Sequence, residues 1–477
     1  MFFWLPAVIG DIDAETPRAA QAAGSRTPGV PQEVPPPSDP LTLGEVLQAV
    51  DASFPKLAGA RAEREAAVAK RREKRGAFDV TTGVGTDFLR YNSSSTRGKE
   101  YTYTATAATV ETTLRSGVKL IAGRDLNNGV VKSPLSSTGS EGTFFVGAKI
   151  PLLRGLGINE KAVGERQAIL GIPLADRNID SVRLSALLSA SAAYWDWVSA
   201  GQKRTVASDL LRLAELRAVQ IRRENELRAQ PNIAVVEADQ EVQRRRGALV
   251  KAERDLQKAA FKLAVYLWND DGTPGAVPPV NRLPATMPIP APLTNEETDT
   301  ARSRAVTERP EIRAVTIQQQ ITGLEESLAQ NDSKPDLSFV VQPGQDVGRL
   351  GIGDTMKAGI AFSVPLNRWE ATGRRDAARA KLSKLTQDQE LLRRQVALEV
   401  EDAASAVNTA EERYRAAVQE VDLAVRLEEG ERIRFRAGDS TLFLVNQRER
   451  STAEARARLI DVMAEYQQAI AAFKAAS

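Results

Sequence analysis

The 477 residues contain no cysteine and no histidine, only 5% are aromatic, and Lys plus Arg (64) almost cancels Asp plus Glu (62). Those absences exclude disulfides, thiol catalysis and thiolate metal sites, and remove the commonest general base and transition-metal ligand. The charges are interspersed, so no basic face for nucleic acid stands out, and no apolar window of about eighteen residues offers a transmembrane helix.

No catalytic or cofactor-binding pattern emerges either. "GVGTDF" and "GLGINE" are Gly-x-Gly pieces without a third glycine or a βαβ context. The chain therefore reads as a non-enzyme, with no catalytic, cofactor-binding or metal residues to name.

Residues 1–40 open with "MFFWLPAVIG", the apolar part of a secretory signal without its basic start, and "AQAAG" supplies small residues of the cleavage type. The alternative is an unstructured tail, and both readings lead into the extended proline-rich "PGVPQEVPPPSDP". A helix is expected from 41 to 76, kinked at Pro55.

Strand-like runs fill 78–151: "AFDVTTGVGTDFL", "YTYTATAATVETTL", "SGVKLIAGRDL" and "GTFFVGAKI", parted by Asn, Ser and Gly clusters. Their alternation predicts a sheet with one apolar and one polar face. At "KIPLLRGLG" Pro151 is expected to end the last strand, since it cannot donate to a ladder, while Gly155 and Gly157 let the chain bend. A long helix follows over 157–229, interrupted near its start by Pro173, then a turn at "RAQPN" and a return helix over 232–268.

A Gly/Pro-rich linker spans 269–293, and the order then repeats: helix 294–332, strands within 335–365 ending at Pro365, long helix 369–437, turn "RAGDST", return helix 441–474. Residues 41–268 and 294–477 are thus two copies of one layout, the first with roughly forty extra residues among its strands. In each copy the first and last helices together match the long one, which at 1.5 Å per residue spans roughly 100 Å. That length suits a tube. Ala403, Val407, Ala410, Tyr414, Ala417, Val421 and Ala424 recur at coiled-coil spacing, as close side-by-side packing requires. Trp195 and Trp197 read as packing anchors.

Two or three strand pairs per chain cannot close a barrel alone, so a membrane barrel would be shared between protomers. The duplicated layout, "KIPLLRG" and "SVPL" at the junctions, and "FRAGDSTLFLVNQRERSTAEARARLIDVMAEYQQAIAAF" resemble the TolC family of outer-membrane efflux proteins. The resemblance covers about 40 to 475 and implies a mainly α protein with a membrane β-barrel portion. The family form is a homotrimer with a twelve-stranded barrel, four strands per protomer, continued by an α-helical tunnel through the periplasm. It further implies a passive exit duct in the outer membrane, served by a periplasmic adaptor and an inner-membrane pump, with residues 269–300 in an equatorial belt. A periplasmic coiled-coil adaptor or a structural coiled coil is the alternative.

In that family the helix-turn-helix tips meet the adaptor and close the tunnel. By position they are Arg228, Ala229, Gln230, Pro231 and Asn232 in the first copy, and Arg436, Ala437, Gly438, Asp439, Ser440 and Thr441 in the second. Gly438 suits the left-handed turn position, where Gln230 or Ala229 stands in the first copy. The acidic ring beyond the tip has Leu444 and Gln447 in its second-copy places, leaving Glu237 and Asp239 as the gate carboxylates, or else as solvated helix-face charges. Arg434 and Arg436 are expected to pair with acids of a neighbouring helix.

Overall fold

The structure, a computed structural model, describes residues 39–92, 98–131 and 137–477. The apolar start and most of the proline-rich lead-in lie outside the described residues.

Among the described residues of Pro40–Ser477 there are eight α-helices and six strands. They are α1 (Leu43–Ser53), α2 (Pro55–Arg75), β1 (Thr81–Asn92), β2 (Glu100–Thr113), β3 (Lys119–Gly129), β4 (Gly142–Pro151), α3 (Glu160–Glu226) and α4 (Asn232–Ala264). The second copy supplies α5 (Asn295–Glu308), α6 (Pro310–Asp332), β5 (Asp336–Gly348), β6 (Gly351–Ser363), α7 (Trp369–Arg436) and α8 (Leu442–Ala476).

Both first helices break in two. Pro55 and Pro310 do not kink a continuous helix: each starts a new one at its first position, where a missing N–H costs nothing. The residues before them, Phe54 and Arg309, are extended, as a following proline demands. Thr294 opens α5 with a capping box to Glu297, and Thr42 caps α1 by accepting from the Glu45 N–H at 3.2 Å. Pro173 behaves differently and sits inside an unbroken α3, where a 67-residue helix absorbs one lost bond.

The helices form a wall of four columns. Next to the sheet the lateral order is α2, α3, α6, α7; towards the turns it is α4, α3, α8, α7. The short helices of each copy thus stack along the long helices, and at 1.5 Å per residue α3 and α7 run about 100 Å. At mid-height α1 lies against α3 and α5 against α7. There the largest core gathers Val46, Leu57, Trp197 and Leu263, with Met287 of the linker. Trp195 is buried beside Trp197 in the same core. The Tyr194 hydroxyl donates to the Leu41 carbonyl at 2.8 Å, the Gln467 amide to Pro288 at 3.1 Å, and Asn408 accepts from the Leu293 N–H at 2.8 Å. The linker is thereby tied to several columns.

All six strands join one antiparallel sheet in sequence order, β1 to β6. The chain's sheet thus has six strands where the resemblance implies four barrel strands per protomer, because β2 and β3 lie between β1 and β4. Pro151 is the last residue of β4, opposite Ser338, and Pro365 lies two residues beyond the end of β6. The turn between β2 and β3 is seated on the start of α3. Arg115 donates to both carboxylate oxygens of Glu165 at 2.6 Å, the Asn159 side-chain amide donates to the Arg115 carbonyl at 3.0 Å, and the Gly157 N–H to Ser116 at 2.9 Å. Gly117 (φ +94°) is required there: a Cβ would lie 2.1 Å from the Gly155 carbonyl oxygen.

Candidate functional site at the hairpin turns

Two helical hairpins, α3/α4 and α7/α8, end in turns of the same construction. In the first, the Arg228 N–H bonds the Asn225 carbonyl (2.8 Å) and the Ala229 N–H reaches Glu224 (2.8 Å). In the second, Gly438 N–H bonds Phe435 (3.1 Å) and Asp439 N–H reaches Arg434 (2.9 Å). Both are Schellman closures, which need a left-handed residue just past the helix.

Gly438 occupies that position at φ +85°, and its counterpart is Arg228 at φ +59°. The expectation that Gln230 or Ala229 matches the glycine is therefore corrected to Arg228. The signal that misled was the shared "RA" dipeptide; the hydrogen bonds align the helix ends instead. Pro231 and Thr441 are the equivalent caps of the return helices, so Asn232 corresponds to Leu442. The Asn225 side chain donates to the Gln230 carbonyl (2.7 Å) and Asn232 (3.0 Å), bracing a turn built on a non-glycine residue.

The corrected register moves the acidic positions. Eleven residues past the left-handed residue stand Asp239 in the first copy and Glu449 in the second. Asp239 is ion-paired with Arg222 of its own hairpin, and Glu237 is half-buried. Leu444 is half-buried in the first turn of α8, its N–H capped by Thr441, and Gln447 is exposed. Neither acts as the second acidic position.

Glu449 is wholly buried (0% exposed). Its carboxylate accepts from Arg217 of α3 (2.8 Å), Arg245 of α4 (2.8 Å) and Arg432 of α7 (3.2 Å). One α8 side chain thus ties three other helices together. Arg245, 3% exposed, also donates to Glu241 (3.0 Å) and the Leu210 carbonyl (3.0 Å). Asn446 accepts from Arg217 at 2.9 Å. Burial works against the charge on Glu449, yet the bonds from Arg217 and Arg245 outweigh it and hold the carboxyl below its usual range.

This cluster was the main feature missed from the sequence. Its signal was a polar interruption of an apolar stripe: Leu442, Val445, Glu449 and Thr452 are buried at alternating three- and four-residue spacing. A carboxylate on such a stripe needs a cation opposite it.

Arg434 and Arg436 do not reach a neighbouring helix within the chain. Arg434 pairs with Glu431 (3.6 Å) and donates to the Asp439 carbonyl (3.1 Å), while Arg436 pairs with Glu429 (3.2 Å), all within their own hairpin. Ser440 donates to Glu431, closing the second turn. Between the two turns lies a cleft of about 610 Å³ lined by Arg217, Glu224, Gln230, Arg432, Arg436 and Gly438, so the tips of both copies meet around one polar hollow.

Comparison with known proteins places this geometry. Residues 301–477 match the family described as outer membrane efflux protein. None of the curated proteins matches the chain. Among solved structures, a membrane protein from Pseudomonas aeruginosa is similar at 16% identity, covering 91% of this chain and 93% of that one, with a TM-score of 0.66. The Campylobacter jejuni CmeC outer membrane channel is similar at 14% identity (91% and 85% covered, TM-score 0.64). The Neisseria gonorrhoeae MtrE outer membrane channel in its open state follows at 15% identity (91% and 88%, TM-score 0.62).

Proposed function

We propose that this TolC-like outer-membrane efflux protein works as the exit duct of a tripartite efflux or secretion system, passively conducting what an inner-membrane pump delivers through a periplasmic adaptor. The observation that carries the reading is the unfinished wall: four helix columns and six strands side by side, with α7 at one lateral end and α2/α4 at the other. Those ends carry exposed apolar residues, including Leu391, Leu423 and Leu427 on α7 and Ile233, Val250 and Phe261 on α4. Such surfaces call for partners, and copies of the same wall joined edge to edge make a tube. A homotrimer is the assembly we assign. An adaptor with one hairpin has no use for two hairpins sharing one sheet.

In this reading the tips at Arg228–Asn232 and Arg436–Thr441 face the adaptor, and the Glu449 cluster holds the two hairpins together beside them. Asp239 and Glu237 are the carboxylates placed to ring the tunnel mouth. Electron microscopy of detergent-extracted protein from the outer-membrane fraction tests the duct. Threefold tubes with helical walls roughly 100 Å long are expected. Monomeric rods in the soluble fraction would leave a coiled-coil scaffold as the better account.

A further inference from the structure

The sheet carries more strands than the twelve-stranded family form needs, and both of its ends are built for continuation. β1 and β6 are laddered on one side only, to β2 and β5. Five successive antiparallel pairings leave β1 and β6 running in opposite directions, so β1 of one copy meets β6 of the next in antiparallel sense.

The register sorts the side chains into two faces. On one, Val84 and Phe88 of β1 line up through Val110 and Phe144 with Ile352 and Ile360 of β6. The other face carries Asp87, Glu111, Lys149 and Lys357, together with Tyr103 and Phe145, both only 8% exposed. The apolar face reaches both ends of the sheet, interrupted by Arg90, Arg124 and Asp354: Val84 is 80% exposed, Phe88 70%, Ile352 68% and Ile360 72%. An apolar outer face over strands of 10 to 14 residues suits hydrocarbon, where an open edge is not tolerated.

The perimeters decide how many strands belong in the wall. Four helix columns at about 8–10 Å spacing occupy about 32–40 Å per chain. Six strands at about 4.8 Å, tilted by about 40°, occupy about 38 Å, whereas four would occupy only about 25 Å. Six strands therefore meet the helical wall without a taper. The β2–β3 hairpin is also clamped to α3 by the Arg115–Glu165 pair at its turn, which keeps it in line with the helices beneath it.

We propose that β1 of one copy pairs with β6 of the next, closing an eighteen-stranded barrel in the trimer. This rests on the trimeric duct proposed above. At eighteen strands the backbone radius is about 18 Å, against about 12 Å for twelve, so the membrane portion has the width of a porin lumen. Discrimination among substrates then falls to the helical end and not to the barrel.

The absence of native cysteine makes the test direct. Thr86, on the apolar face of β1, is changed to Cys together with one of D354C, M356C, A358C or I360C on the same face of β6, in the full-length protein in outer membranes. Mild oxidation is expected to give covalent trimers for at least one pair, and top views by electron microscopy to show eighteen strands. If the β1–β2 hairpin instead stands outside the wall, β3 becomes the edge. A122C with the same β6 set would then cross-link and T86C would not, overturning the proposal. Cross-linking that stops at closed dimers would keep the seam but refute eighteen strands. Trimers by light scattering that none of the T86C pairs cross-links would sink the seam and leave the duct standing; monomers would sink both.

Discussion

The Glu449 cluster offers the sharpest perturbation. Glu449→Gln keeps the shape and removes the charge that Arg217, Arg245 and Arg432 share. Arg245 is 3% exposed and retains Glu241, itself buried, as its one close carboxylate beside the Leu210 carbonyl, while Arg217 keeps Asn446. Removing one partner of a buried ionic group costs about 3–5 kcal/mol, because the remaining cations stay desolvated. At 1.4 kcal/mol per tenfold, contact between the hairpins should open a hundred-fold or more as often. Amide hydrogen exchange reads this on residues 214–221 and 442–452, which form the packed seam beside the cluster.

The pH dependence has a defined sign. The folded carboxyl is depressed, so its contribution is present above the unfolded value, about 4.3, and is lost as pH falls through the lower folded value. Wild-type protection should decline in that acid range, and the variant should lack this component. Replacing the buried group together (E449L with R217M, R245M and E241M) should recover much of the stability, since apolar residues of similar volume substitute well for buried ion groups. Exchange in E449Q within twofold of wild type would refute the reasoning.

Four other outcomes follow from single contacts. Arg228→Gly should tighten the first turn by about 1 kcal/mol, and Gly438→Ala should loosen the second by a similar amount, seen as opposite shifts in tip-amide exchange. Tyr194→Phe leaves the Leu41 carbonyl without its donor and should cost about 1–2 kcal/mol in denaturant unfolding. Burial pushes the Tyr194 hydroxyl up to about 12, so its contribution holds below pH about 10 and is lost as pH rises through the folded value. Glu165→Gln should raise proteolysis at the 114–118 turn. The Arg115 hydrogen bonds hold the Glu165 carboxyl below its usual range against partial desolvation, so wild type should show the same loosening only in acid.

Local chemistry was legible in the sequence. Period-two alternation marked the strands, and Pro151 sits where the β4 ladder stops because a residue without an N–H cannot extend it. The long helices and the glycine turn at Gly438 also came from spacing and residue type alone. What needed the tertiary structure was everything set by partners distant in the chain. Whether β2 and β3 joined the wall depended on Gly123 packing against Phe145 and on Arg115 reaching Glu165, 50 residues away. The turn register depended on which carbonyls the Arg228 and Gly438 amides meet, which two shared letters cannot reveal. The charge on Glu449 depended on Arg217, 232 residues away, because a buried carboxylate is tolerable only where the fold supplies cations.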